Sequence, residues 1–186
     1  LQISSSLSPD NIICFERTDI SEFRPEGVSN NFHHRFELLC VIEGKGPARI
    51  GDNTYNFEPG DCALIFPNQF HHYMDVKAES LDWLFVTFDL ANAEGLEALQ
   101  NAPRKLDPES VIILQNILYP YLSKKGDDAD TLEISYYLSR FLKHMTQLNP
   151  IPAEQCTHNS TEDTRDMILQ KINHYVRDHL SEAPTI

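Results

Sequence analysis

The sequence lacks the features that identify membrane, secreted and disulfide-stabilised proteins. No apolar run approaches the roughly 18 residues that a membrane-spanning helix needs, and no basic region followed by an apolar run indicates a secretory signal. Four cysteines are present, but none forms a Cys-x-x-Cys pair, which argues against a zinc ribbon or a redox pair. We therefore expect a cytoplasmic protein without membrane contacts, whose cysteines are reduced core thiols.

Residues for common catalytic and nucleic-acid-binding chemistry are also scarce. There is no Gly-x-Ser-x-Gly elbow to carry a nucleophile, and no glycine-rich loop placed to hold a phosphate. Lysine and arginine number 15 against 28 aspartate and glutamate residues, which gives a net charge of −13. This chain is therefore not expected to bind DNA or RNA through its general electrostatic field.

The sequence does contain a succession of short strands. Residues 33–71 alternate apolar and polar positions between turns rich in glycine and proline, a pattern that predicts a sandwich or barrel. Residues 48–50 and 54–57 flank a glycine-containing turn and predict a hairpin. The 186 residues suffice for one sizeable domain with additional elements. Three further strands are predicted at residues 11–15, 62–66 and 81–90.

From Pro108 onward the apolar period becomes helical. A first helix is predicted over residues 108–122, with Pro120 kinking or stopping it near its end. A second helix is predicted to begin at Asp130, where Glu133 completes a capping-box arrangement. For its apolar stripe, packing within the chain and a seam with a second copy are both open. The stripe consists of Ile134, Leu138, Phe141, Met145 and Leu148.

Two parts of the strand region resemble the paired motifs of the cupin barrel. Glu37 and Gly44 keep the first motif's spacing of six residues between glutamate and glycine. The second motif, a Pro-Gly pair, a strand, a proline and then a histidine, is matched by residues 59–60, Pro67 and His71.

Two further segments make the resemblance more specific. Residues 82–88 resemble the tryptophan-containing strand of AraC-type regulators, and residues 172–180 resemble the first helix of the DNA-binding domain in that family. The chain is therefore identified as resembling the N-terminal, cupin-like effector-binding domain of an AraC/XylS-type transcriptional regulator, ending before the helix-turn-helix.

This resemblance implies a fold that is mainly β with α. We expect a cupin-like double-stranded β-helix, or jelly-roll, barrel over residues 1–100, followed by a helical dimerisation segment over 101–148. Residues 149–162, which contain two prolines and several polar residues, are predicted to be a linker. Residues 163–186 would form the first helix of a truncated DNA-binding domain.

The implied function is that of the effector-sensing and dimerisation region of a bacterial regulator. A small molecule, such as a sugar or a related metabolite, would bind in the barrel of a homodimer and control DNA binding by the missing C-terminal domain. No catalytic activity is expected. The alternative is a metal-dependent cupin enzyme, an isomerase or dioxygenase.

The metal positions of the cupin motifs map onto Asn31, His33, Glu37 and His71. Because Asn31 replaces one of the family's histidines, we predict that no metal cofactor is bound. If a metal were present, its ligands would be His33, Glu37 and His71. Otherwise these three side chains would form hydrogen bonds with one another and with the effector.

Alternation along the strand places His33, Arg35 and Glu37 on the face that points into the barrel. A buried Arg35 would suit an acidic or hydroxyl-rich ligand, or would form a purely structural ion pair. Aromatic residues in barrels mostly belong to the core, but some are candidates for a pocket wall. The predicted ligand-binding residues are His33, Arg35, Glu37, His71, Tyr73, Trp83 and Phe85.

Overall fold

The computed structural model describes residues 7–19, 33–73, 80–123 and 128–154. These residues belong to a compact unit that ends at Glu154. The predicted C-terminal helix over 163–186 lies outside the described residues. The described elements, in chain order, are β1 (Asp10–Arg17), β2 (Phe36–Glu43), β3 (Gly46–Ile50), β4 (Asn53–Phe57), β5 (Asp61–Ile65), β6 (His71–Tyr73), β7 (Asp82–Asp89), a 3-10 turn (Glu97–Leu99), β8 (Arg104–Lys105), α1 (Pro108–Ser123) and α2 (Asp128–Met145).

The strands form two antiparallel sheets. One has the order β1-β7-β2-β5-β8 and the other the order β4-β3-β6. The predicted hairpin is confirmed as β3 and β4, which pair from Gly46 opposite Phe57 to Ile50 opposite Asn53. Its turn requires glycine at position 51, because φ there is +59° and an added Cβ would lie 2.6 Å from the Asn101 side chain.

Alternation along β2 divides the buried residues into two clusters. Leu39 and Val41 face the second sheet and belong to the interior cluster, whereas Leu38 and Cys40 face the helices and belong to the helix-side cluster. The buried members of the interior cluster are Leu39, Val41, Ala48, Ile50, Tyr55, Phe57, Ala63, Ile65, Tyr73, Leu81, Trp83 and Phe85.

The cysteines in the described residues are buried free thiols, as predicted. Cys14, Cys40 and Cys62 all lie in the helix-side cluster. Burial raises the pKa of Cys14 to about 11 and that of Cys62 well above its ordinary value. A thiol held in its neutral form is a poor nucleophile, so these residues act as small core side chains.

Helix α1 agrees with its predicted range of 108–122 to within one residue, whereas α2 begins two residues before the predicted start. Helix α1 does not stop at Pro120 but continues to Ser123, since burial of Ile117 and its neighbours outweighs the one backbone hydrogen bond that proline removes. Helix α2 begins at Asp128, so Asp130 lies inside it and is not its cap. None of the described helices combines the length and apolarity needed to span a membrane.

A carboxylate that the sequence analysis did not single out joins the two helices. Asp107 precedes Pro108 and caps α1, accepting hydrogen bonds from the Ser110 backbone N–H at 2.8 Å and the Ser110 hydroxyl at 2.7 Å. His144, in the last turn of α2, lies 3.0 Å from the same carboxylate. The Ser110 hydrogen bonds, followed by the one to His144, hold the pKa of Asp107 well below its usual range.

The apolar stripe of α2 packs within the chain. Leu138, Phe141 and Met145 are fully buried, and Ile134 and Leu148 pack against the same helix-side cluster. Of the two arrangements left open by the sequence, the stripe therefore adopts the intramolecular one.

Replacing Leu138 by alanine should lower the free energy of unfolding by about 2–5 kcal/mol, because the change leaves a cavity in the core. The matched control is Leu132→Ala on the same helix, since Leu132 is 73% exposed and Leu138 0%. The control should change stability by no more than about 0.5 kcal/mol. Urea unfolding measures both. A Leu138→Ala variant that keeps its stability would show that the stripe is not core.

Candidate functional site

The side chain of Glu37 is the centre of a polar cluster on the inner face of β2. The Tyr73 hydroxyl donates a hydrogen bond to Glu37 Oε1 at 2.8 Å. His71 Nε2 lies 3.5 Å from the same oxygen, and His33 Nε2 lies 3.5 Å from Oε2. Glu37 and His71 are buried while His33 is partly exposed, so the cluster reaches solvent on its His33 side.

Local structure fixes the orientation of both imidazoles. His33 Nδ1 lies 2.8 Å from the Arg35 carbonyl oxygen, and His71 Nδ1 lies 3.1 Å from the carbonyl oxygen of Gln69. A carbonyl only accepts, so each Nδ1 carries the hydrogen and each Nε2 is directed at Glu37. A neutral His71 therefore presents an Nε2 lone pair that can accept a hydrogen bond from a ligand.

The electrostatics of the cluster separate the two histidines. The hydrogen bond with Glu37 raises the pKa of His33, whereas burial lowers the pKa of His71. Burial by itself would raise the pKa of Glu37, but its interactions with His33, His71 and Tyr73 together outweigh burial and leave that pKa lowered. The arrangement thus favours an ion pair between His33 and Glu37 and favours the neutral form of His71 beside it.

Aromatic rings continue from this cluster into the barrel interior. Ring centroids are separated by 5.0 Å for His33 and His71 and by 5.7 Å for His71 and Tyr73. Tyr73 then meets the edges of Trp83 at 5.8 Å and Phe85 at 5.6 Å. Six of the seven predicted site residues consequently form one continuous group.

Arg35 is the predicted residue that does not join this group. Its guanidinium donates to the backbone carbonyl oxygens of Asn11 and Thr87, and its Nε lies 3.4 Å from Asp89. These contacts tie the start of β2 to β1 and β7. Of the two roles left open by the sequence, the structural one is favoured. Asn31 lies outside the described residues.

Two residues of β1 that the sequence analysis missed lie next to the aromatic group. Phe15 stacks on Phe85 with ring centroids 5.1 Å apart, and the Arg17 guanidinium carbon lies 4.9 Å from the Phe85 centroid. The positive charge of Arg17 also opposes protonation of His71. The predicted strand ended at residue 15. Continuing the alternation by two residues would have placed Arg17 on the face of Phe15.

His33, Glu37 and His71 also form a group that could hold a metal ion. Their ligand atoms lie within 4.8 Å of one another, and two imidazoles with one carboxylate suit a divalent transition metal. The residues fit such an ion, which would polarise an oxygen atom bound to it. They also satisfy one another without it, because the charge of Glu37 is balanced by His33.

Comparison of the sequence with models of known protein families identifies the family of this domain. A model of the AraC-like ligand binding domain matches residues 21–149, more than half of the chain, and the match includes the whole polar cluster. The chain belongs to the AraC-like ligand-binding domain family. This match and the two-sheet architecture confirm the predicted cupin-like barrel followed by a helical pair.

Solved structures similar to this AraC-like domain include an apo ToxT variant from Vibrio cholerae, with a TM-score of 0.51, 11% identity and coverage of 90% of this chain and 64% of that one. The AraC-like transcriptional activator CuxR gives a TM-score of 0.47, 11% identity and coverage of 94% and 59%. A cupin family protein from Methanocaldococcus jannaschii gives a TM-score of 0.36 and 11% identity, with coverage of 48% of this chain and 86% of that one.

At these identities the likeness concerns the fold alone. The AraC-like chain spans about three fifths of the length of the two regulators. No curated protein matched the chain by sequence.

The two histidines should titrate on opposite sides of the ordinary histidine pKa of about 6.5, with His33 above and His71 below. Glu37→Gln should lower the pKa of His33, because it removes the neighbouring negative charge. Imidazole chemical shifts followed by NMR against pH measure this. Glu43→Gln, at an exposed position of β2, is the control.

The raised pKa of His33 predicts that the stability of the fold depends on pH. Because the pKa of His33 is raised in the folded state, its ion pair stabilises the fold fully below about pH 6.5, and this contribution is lost as the pH rises through the folded pKa. A His33 pKa that is unchanged in Glu37→Gln would contradict the ion pair.

Proposed function

We propose that this chain is the effector-sensing region of a cytoplasmic bacterial AraC-type transcriptional regulator. The observation that carries the proposal is the Glu37 polar cluster set against a buried aromatic wall. Small-molecule sites are mostly apolar with a few polar groups that fix orientation, and this arrangement has both parts. The effector would contact the Glu37 cluster, of which Tyr73 is a member, and the ring of Phe85.

The polar groups favour a hydroxyl-bearing effector, such as a sugar or a related metabolite. A hydroxyl both donates and accepts hydrogen bonds. The Glu37 carboxylate and the His71 Nε2 lone pair can accept hydrogen bonds from it. The charged guanidinium of Arg17, beside Phe85, adds a further group at the edge of the site.

We propose binding rather than catalysis at this site. A general base works best with a pKa near the working pH, yet the pKa of Glu37 is lowered and that of Tyr73 is raised by burial and by the charge of Glu37. The two histidines are engaged by Glu37 and by backbone carbonyl oxygens. The metal-dependent enzyme remains the alternative. Elemental analysis that finds about one iron, manganese, nickel or zinc ion per chain, lost in His71→Ala, would favour that alternative.

Effector binding is tested with a thermal-shift screen of pentoses, hexoses and sugar acids, because a ligand that binds only the folded state raises the melting temperature. Hits are titrated by fluorescence of Trp83, the single tryptophan. His71→Ala and Glu37→Gln should each weaken binding by about 1–3 kcal/mol, the cost of losing a buried polar partner.

The matched control for this titration is His72→Ala, since His72 follows His71 on β6 and points to the opposite side of the sheet. It should leave the affinity unchanged. Full affinity in both His71→Ala and Glu37→Gln would place the effector elsewhere.

We further propose that the regulator is a homodimer that uses the outer faces of the helices. The exposed apolar residues there include Ile112 and Tyr119 on α1, seven residues apart, and Leu132 and Tyr136 on α2, four residues apart. Each pair lies along one side of its helix. A two-fold dimer would match paired DNA half-sites, which a helix-turn-helix region outside this chain would contact.

Ile112→Glu combined with Leu132→Glu should shift the protein from dimer to monomer while leaving it folded, because both side chains are exposed in the single chain. Sedimentation velocity measures the assembly and circular dichroism the fold. Gln100→Glu, at an exposed position outside both helices, is the control. A wild-type protein that is monomeric at high concentration, or a double variant that stays dimeric, would contradict this interface.

A further inference from the structure

Residues 149–154, which we name the sheet strap, connect the two sheets through backbone hydrogen bonds. Near its start, the Ile151 N–H donates to the carbonyl oxygen of Pro103, just before β8, at 2.9 Å. At its end, the Glu154 N–H donates to the carbonyl oxygen of Thr54, in β4, at 2.8 Å. These residues form the first part of the segment predicted to be a linker, and they lie against the barrel.

The positions of the two attachments give the strap its mechanical role. Strand β8 is the edge of the five-stranded sheet, and β4 is the edge of the three-stranded sheet. The strap therefore continues the barrel wall from β5 and β8 across to β4 and β3. If β4 and β8 moved apart or closer together, the strap would have to lose its hydrogen bonds at one end or move with them.

The side chains of the strap differ in what they contact. Ile151 is partly buried and packs against the interior cluster, which also contains Tyr73 and Trp83. The three residues that follow it, 152–154, are exposed. The Glu154 carboxylate also accepts a hydrogen bond from the Asn56 side chain of β4. One apolar contact, this exposed side-chain hydrogen bond and a few backbone hydrogen bonds make the strap an element that can open locally at low cost. Its seating depends on how the interior cluster is packed.

We propose that the sheet strap transmits occupancy of the barrel interior to the chain that follows Glu154. This inference rests on the effector-binding function proposed above. An effector that repacks the interior cluster changes the seating of Ile151 and the separation of β4 from β8. A seated strap fixes the point from which residue 155 continues, and a released strap frees it. Coupling of this kind is reciprocal, so a change in the strap must also alter the interior.

The first test packs additional volume into the interior cluster in place of an effector. Ala63→Leu adds volume on the inner face of β5, and Leu64→Phe adds volume at the next residue, on the helix side. Overpacking destabilises the interior cluster. If opening of the strap is coupled to that cluster, its equilibrium should shift by about tenfold toward the open state. Hydrogen exchange measured by NMR reports the opening of the strap through the amides of Ile151 and Glu154.

In Ala63→Leu, exchange of these two amides should rise about tenfold more than exchange of the Leu39 amide in β2. In Leu64→Phe, the rise should be no greater than at Leu39. A folded Ala63→Leu protein without the selective rise would overturn the coupling. An equal rise in both variants would also overturn it, because the strap would then only follow global stability.

A second test changes the strap and measures the effect on the interior cluster. It does not require the Ala63→Leu variant to fold. Ile151→Ala should increase acrylamide quenching of Trp83, which is fully buried, whereas Pro152→Ala, at an exposed position, should not. Unchanged quenching in Ile151→Ala would show that a change in the strap does not alter the interior cluster, and would contradict the coupling. Neither test uses an effector. A negative result in these tests therefore overturns the coupling through the strap but not the proposed effector binding. Failure to find an effector would in turn not change the results expected for the strap variants.

Discussion

A buried carboxylate must be satisfied by its surroundings, and in this protein that carboxylate belongs to Glu37. A charge removed from water carries a large free-energy cost unless opposite charge and hydrogen-bond donors replace the solvent. Tyr73 and His33 supply these, and His71 completes the group. The three partners come from β6 and from the residues before β2. The cluster therefore fixes how those segments meet at the edge of the barrel interior.

The two faces of β2 explain how the site and the fold depend on one another. The inner face carries Glu37 and then Leu39 and Val41, so the polar cluster passes directly into the interior cluster. The outer face carries Leu38 and Cys40, which the helices cover. Because the helices cover the outside of the sheet, the inner face can hold polar groups for a ligand. The price in stability of a charged site is offset by apolar packing on the other face.

Much of this could be predicted from the sequence because alternation and motif spacing are local signals. They located the hairpin and the inner and outer residues of β2, and six of the seven predicted ligand-binding residues lie together in the structure. Arg35 lies apart from them, in the structural of the two roles left open, because it precedes β2, which begins at Phe36, and contacts β1 and β7 instead. The strap was missed because the prolines at 150 and 152 are typical of linkers, and only the open edges of β4 and β8 show why this one is seated. The stripe of α2 carries the same pattern whether a barrel or a second copy covers it.

The proposed effector contacts both the Glu37 cluster and the aromatic wall. The most direct measurement is a set of NMR difference spectra for the imidazole signals of His33 and His71 and the indole signal of Trp83, recorded with and without a hit from the metabolite screen. The account predicts saturable shifts of all three signals with one common dissociation constant. Saturable shifts confined to residues on the outer faces of α1 and α2, with these three signals unmoved, would contradict it.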